Sequence, residues 1–112
     1  MLFIAKVIFQ ILIEGHQQNQ FDEQLLLVEA QAESDAYLKA RVMGAQQQSS
    51  FVNERNKNVS WKMIDVVEIV PVDAVEHGSV VYSRIIEEDP ETFVSFVKKK
   101  ALMLQTSAIA FA

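Results

Sequence analysis

From Phe3 to Ile13 (FIAKVIFQILI) the odd positions Phe3, Ala5, Val7, Phe9, Ile11 and Ile13 are all apolar, while the even ones include Lys6 and Gln10. Alternation with a period of two, rich in Ile, Val and Phe, predicts a strand with one face fully buried. Lys6 and Gln10 are also four apart, as on an amphipathic helix, but β-branched residues at 4, 7, 8, 11 and 13 favour the strand. Its even side, Leu2, Ile4, Ile8 and Leu12 interrupted by Lys6 and Gln10, is too apolar for open solvent. A second cover is expected there, and a second subunit is the expected one. Glu14–Asp22 is polar and holds Gly15 and Asn19, so it reads as a loop. Glu23–Ala30 (EQLLLVEA) then returns as a second strand, close enough for an antiparallel hairpin. Leu25 and Leu27 share one of its faces, and Leu26 and Val28 share the other. A strand apolar on both faces lies inside a sheet, or between a helix and a partner subunit.

The period changes after Ala30. Ser34 is a candidate N-cap, and Asp35 places negative charge at the positive end of a helix dipole. Ala36, Ala40 and Met43, with Tyr37 alongside, form a narrow face of small residues that lets a helix approach a sheet closely. Gly44 is expected to loosen or end this helix. Ser50–Asn53 reads as a short strand and Glu54–Asn58 as a polar turn. Val59–Val72 (VSWKMIDVVEIVPV) is the second long strand pattern. Its phase slips after Ile64-Asp65, which predicts a β-bulge there. Pro71, with no amide to donate, marks the strand's end or an edge position.

Asp73–Gly78 is a turn region, and Ser79–Ile86 (SVVYSRII) alternates like a further strand. Asp89 as cap, Pro90 at the first helical position and Glu91 in the first turn announce a second helix. Its stripe is Phe93, Phe96, Val97, Lys100, Ala101 and Leu104, with Lys98–Lys100 expected near the C-terminal end to complement the dipole. The order strand-strand-helix-strand-strand-strand-helix is α+β. It predicts a mostly antiparallel sheet of about five strands with both helices on one face. Residues 1–104 make a single domain, followed by an apolar C-terminal tail, 105–112.

Composition narrows the functional classes. At 112 residues, half hydrophobic and 22% charged, the chain suits one globular core. It has no cysteine, which removes thiolate metal sites and disulfides and fits a reducing, cytoplasmic setting. A net charge of −5 argues against a nucleic-acid partner, with Lys98–Lys100 the one local basic cluster. The apolar opening lacks a basic start and a small-residue cleavage site, and falls short of the ~20 residues a membrane helix needs, so neither a signal peptide nor a membrane partner is expected.

The stretches LLLVEAQAESDAYLKA (Leu25–Ala40), VSWKMIDVVEI (Val59–Ile69) and HGSVVYSR (His77–Arg84), with the apolar first strand, resemble a small, mainly bacterial family described as domain of unknown function 4288. The resemblance implies a small α+β fold and supplies no catalytic residue. The lysine run and the apolar tail fall outside its pattern.

Candidate chemistry is sparse. His16 and His77 lie in separate loops without ligand spacing, so no metal site and no cofactor is expected. Ser79, Ser83 and Ser95 have no nucleophile context, and the glycines at 15, 44 and 78 form no phosphate loop. Glu29 and Glu33 bracket the first helix and read as a strand-end charge and a helix-start charge. Asp65 stands beside the expected bulge, and Trp61, Tyr82 and Arg84 are of the types that dominate binding hot spots. Together these four form the candidate interaction surface. The competing reading packs Trp61 in the core and leaves the others on an ordinary sheet face. The expected function is a non-enzymatic, self-associating interaction module, a homodimer in its simplest form. One alternative is a small-ligand site or enzyme between the sheet and the loops 14–22 and 73–78. Another is an immunity-type protein whose acidic charge neutralises a basic protein partner.

Overall fold

A computed structural model of the chain describes residues 1–107. The first strand, β1 (Leu2–Ile13), is followed by β2 (Gln20–Glu29), α1 (Glu33–Gln46), β3 (Ser49–Val52), β4 (Asn58–Val72) and α2 (Pro90–Ser107). The four strands form one antiparallel sheet in the order β2-β1-β4-β3. The fold is α+β, as expected, with four strands in place of five. β2 stands at the sheet's edge, not inside it.

The odd side of β1 faces α1. Val7 and Phe9 are wholly buried there, with Phe3, Ala5, Val28 and Val66 around them. Burying each large side chain stabilises the fold by about 1.5–3 kcal/mol. Ala36, Ala40 and Gly44 recur every fourth residue along α1 and are its buried positions. A Cβ at Gly44 would come within 3.1 Å of Met63 and 3.2 Å of Val7. Gly44 therefore neither ends nor loosens the helix; it lets α1 sit down on the sheet. The helix also starts two residues earlier than expected. Ala32, not Ser34, occupies the N-cap, and no side chain caps it. Asp35 instead reaches back to accept from the Gln31 amide at 3.4 Å.

β4 carries two bulges opposite β1. Ile64 is the extra residue between the pairs Met63–Phe9 and Asp65–Ile8, and Val67 the extra one between Val66–Val7 and Glu68–Lys6. The first bulge is where the phase slip places it; the second was not foreseen. Each reverses the alternation, so Met63, Val66 and Ile69 all turn toward α1 at three-residue spacing. Pro71 pairs with Phe3 beyond the reach of β3, which covers only Asn58–Trp61 of β4. The missing amide faces an unpaired side.

Two expectations fail in the C-terminal third. Ser79–Ile86 joins no ladder and is not a strand. Its alternating Tyr82 and Arg84 engage Glu68 on top of the sheet instead of pairing with an edge. α2 starts as predicted, with the Thr92 amide donating to Asp89 Oδ2 at 3.0 Å. Yet α2 packs against neither the sheet nor α1. The radius of gyration, 17.9 Å, exceeds the ~13 Å of a compact chain of this size accordingly. Because α2 runs on to Ser107, Lys98–Lys100 lie in its middle and do not complement its last turn. Gln105–Ser107 of the expected tail are helical, and 108–112 lie outside the described residues. Among the described residues no helix is long and apolar enough to cross a membrane.

Candidate interaction surface

The second face of the sheet is built from the even positions of β1. Lys6 lies at its centre and is only 8% exposed despite its charge. A buried ammonium is costly unless compensated. The compensation comes from both neighbouring strands: Lys6 Nζ is 3.6 Å from Glu23 Oε1 on β2 and 3.6 Å from Glu68 Oε1 on β4. Glu68 is the direct cross-strand partner of Lys6, and Glu23 stands on the diagonal, two residues along β2 from Leu25, which pairs with Lys6.

The segment after β4 closes this cluster from above. The Tyr82 hydroxyl donates to Glu68 Oε2, and the Lys6 ammonium lies 5.0 Å from the Tyr82 ring centre. Arg84 Nη1 is 3.8 Å from Glu68 Oε1. Glu68 thus receives a hydroxyl and two cations. The Tyr82 hydrogen bond, then Lys6 and Arg84, hold its carboxyl below the usual glutamate range. Lys6 is pushed up above the ordinary lysine value, chiefly by the Tyr82 side chain and then by Glu23 and Glu68, against the opposing effect of burial. The result is a clasp that straps residues 79–86 across the sheet.

Beside the clasp the face is apolar and open. Residues opposite the even positions of β1 share its face, which puts Phe21, Leu25 and Leu27 of β2 there. They are 58%, 50% and 53% exposed. Glu23 and Glu29 alternate with them along the same row.

The four residues expected to form one patch are divided. Tyr82 and Arg84 meet at Glu68 on the second face. Trp61 pairs with Ile11 on the α1 side, where its indole Nε1 donates to Asp22 Oδ2 at 3.1 Å and its ring stacks on Phe51. Asp65, lifted by the first bulge, accepts from the Tyr37 hydroxyl at 3.2 Å and pairs with Arg41 at 3.4 Å, both on α1. It ties the helix to the sheet. Lys6, Glu23 and Glu68 were not singled out from sequence. A lone lysine on the semi-apolar side of a core strand is the signal that would have found them, since it demands carboxylates on the flanking strands.

The loop 14–22 leaves β1 at Ile13, whereas 73–78 leaves β4 at Val72, which pairs with Leu2 at the other end of β1. These loops, and with them His16 and His77, therefore lie at opposite ends of the sheet. Among the described residues no group of three or more His, Asp or Glu could hold a metal ion.

No curated protein and no solved structure matches this chain. A family model matches residues 2–83, which span the four strands, α1 and Tyr82 of the clasp but exclude α2. On that match over most of its length, the chain belongs to the family described as Domain of unknown function (DUF4288).

Proposed function

We propose that the protein is a non-enzymatic, self-associating interaction module whose working form is a homodimer. The observation that carries this reading is the amount of apolar side chain left uncovered on one protomer. Phe21, Leu25 and Leu27 lie open on the second face, and Val94, Phe96, Val97, Leu102 and Leu104 lie open on a helix that packs against neither the sheet nor α1. Exposed apolar side chains clustered in this way mark an interface on a small domain. The lack of cysteine supports a reducing, cytoplasmic setting for it. Sedimentation equilibrium at tens of micromolar tests the reading. A dimer is the expected result; a strict monomer throughout that range would sink it.

A further inference from the structure

We infer that the dimer forms by helix exchange: α2 of each protomer lies along β2 on the second sheet face of the other. This rests on the self-association proposed above and names the surfaces that carry it.

The charges select the pairing. α2 holds Lys98, Lys99 and Lys100 against one acid, Glu91, a net +2. Residues 1–89 carry the remaining −7 of a chain whose total is −5. Lys100 lies within the apolar stripe Phe93, Phe96, Val97, Lys100, Ala101 and Leu104, and Lys98 and Lys99, at 100° per residue, project to either side of it. Pairing α2 with α2 through that stripe, parallel or antiparallel, therefore sets lysines against lysines. The edge of β2 has the opposite bias: Asp22, Glu23 and Glu29 with no basic residue. Pairing β2 with β2 would set acid against acid. Of these three pairings, α2 on β2 is the one that brings opposite signs together, and two-fold symmetry makes that contact twice.

Shape and chemistry agree. The row Phe21, Glu23, Leu25, Leu27, Glu29 intersperses apolar side chains with carboxylates, the complement of an apolar helix stripe with a lysine in it and two beside it. From Phe93 to Leu104 the stripe is about 16 Å long. From Phe21 to Leu27 the row is about 20 Å long. The clasp leads the chain across this same face. Tyr82 and Arg84 are fixed at Glu68, so α2 begins six residues beyond an anchored point and projects from there without packing on its own sheet. A short connection from a fixed anchor is the geometry that exchanges an element between identical copies.

The test uses the natural absence of cysteine. Leu25→Cys and Val97→Cys variants are made singly, each in the full chain, and mixed in the presence of a short bismaleimide. The expected product is a covalent dimer joining Leu25→Cys to Val97→Cys, formed at least about tenfold faster than either variant links to itself. Faster self-linking of Val97→Cys would mean helix-to-helix pairing, and faster self-linking of Leu25→Cys would mean edge pairing; either overturns the exchange. So does a doubly substituted chain that closes within one protomer at nanomolar concentration. Lys98→Glu, Lys99→Glu and Lys100→Glu combined should weaken the dimer at least about tenfold with an unchanged circular dichroism spectrum, because α2 contributes nothing to the protomer core. An unaltered dimer constant would also overturn it. Sedimentation of the natural chain separates the two levels: a monomer removes self-association itself, whereas a dimer with the wrong cross-links removes only the exchange.

Discussion

The two faces of this sheet solve the same problem in different ways. On the α1 side, cover comes from backbone proximity. Ala36, Ala40 and Gly44 bring the helix close enough to seal Val7 and Phe9 completely. On the other side, cover comes from a polar clasp. A buried lysine is held by two carboxylates and a tyrosine, and the strap that carries the tyrosine protects only the middle of the face. The first face is closed where α1 lies on it. The second is partly open, and its open part lies along β2, one of the two edge strands of the sheet. Hydrophobic burial needs no particular partner, whereas a clasp holds only where its few groups meet.

Substitutions on each face should separate these mechanisms. The largest effect is expected from Phe9→Ala, which opens a cavity in the sealed core and should cost about 3–5 kcal/mol in urea unfolding. Leu25→Ala, measured at nanomolar protein, should cost under ~0.5 kcal/mol, because that side chain is already half in water. Equal costs at the two sites would erase the distinction. Next in size, Ala40→Leu should destabilise by about 1–3 kcal/mol, since the helix has no room to rise. A neutral result would show that α1 is not held close.

On the clasp side the effects are local. Tyr82→Phe removes the hydroxyl that binds Glu68 while keeping the ring over Lys6. Hydrogen exchange should speed up across 79–86 and stay unchanged in β1. Uniform loss of protection would instead make the strap part of the global core. The smallest effect is a pH dependence. The Glu68 carboxyl is held below its ordinary value of 4.5, so the folded state keeps the proton off longer than the unfolded state does. Its contribution is therefore complete above that value and is lost as pH falls through the lower folded value. The stability difference between the natural chain and Glu68→Gln should be flat from neutral pH down to about 5 and shrink below 4.5. A difference that grows on acidification would reverse the assignment.

Much of this was legible in the residues. The period-two pattern of Phe3–Ile13 names the buried side of β1, the slip near Ile64 locates a bulge, and Asp89-Pro90-Glu91 marks the start of α2. All three are local: steric alternation, parity and capping act over a few residues. The candidate surface was legible only in part. Tyr82 and Arg84 stand out by residue type, yet their partner Glu68 is fourteen residues before Tyr82, and Lys6 lies at the far end of the chain.

What the sequence determined by itself is the set of elements and the apolar side of each, because side-chain periodicity follows from backbone geometry alone. Tertiary structure decided the rest. Ser79–Ile86 alternates as a strand would, but alternation cannot say whether an edge is available to receive it. Tyr82 found a carboxylate on the sheet's surface, and the segment became a strap. Ala36, Ala40 and Gly44 look like a weak helix face until Val7 and Met63 lie beneath them. The apolar stripe of α2 predicts burial, while among the described residues neither the sheet nor α1 covers it, since a pattern specifies the need for a partner and only the folded chain shows whether these elements supply it.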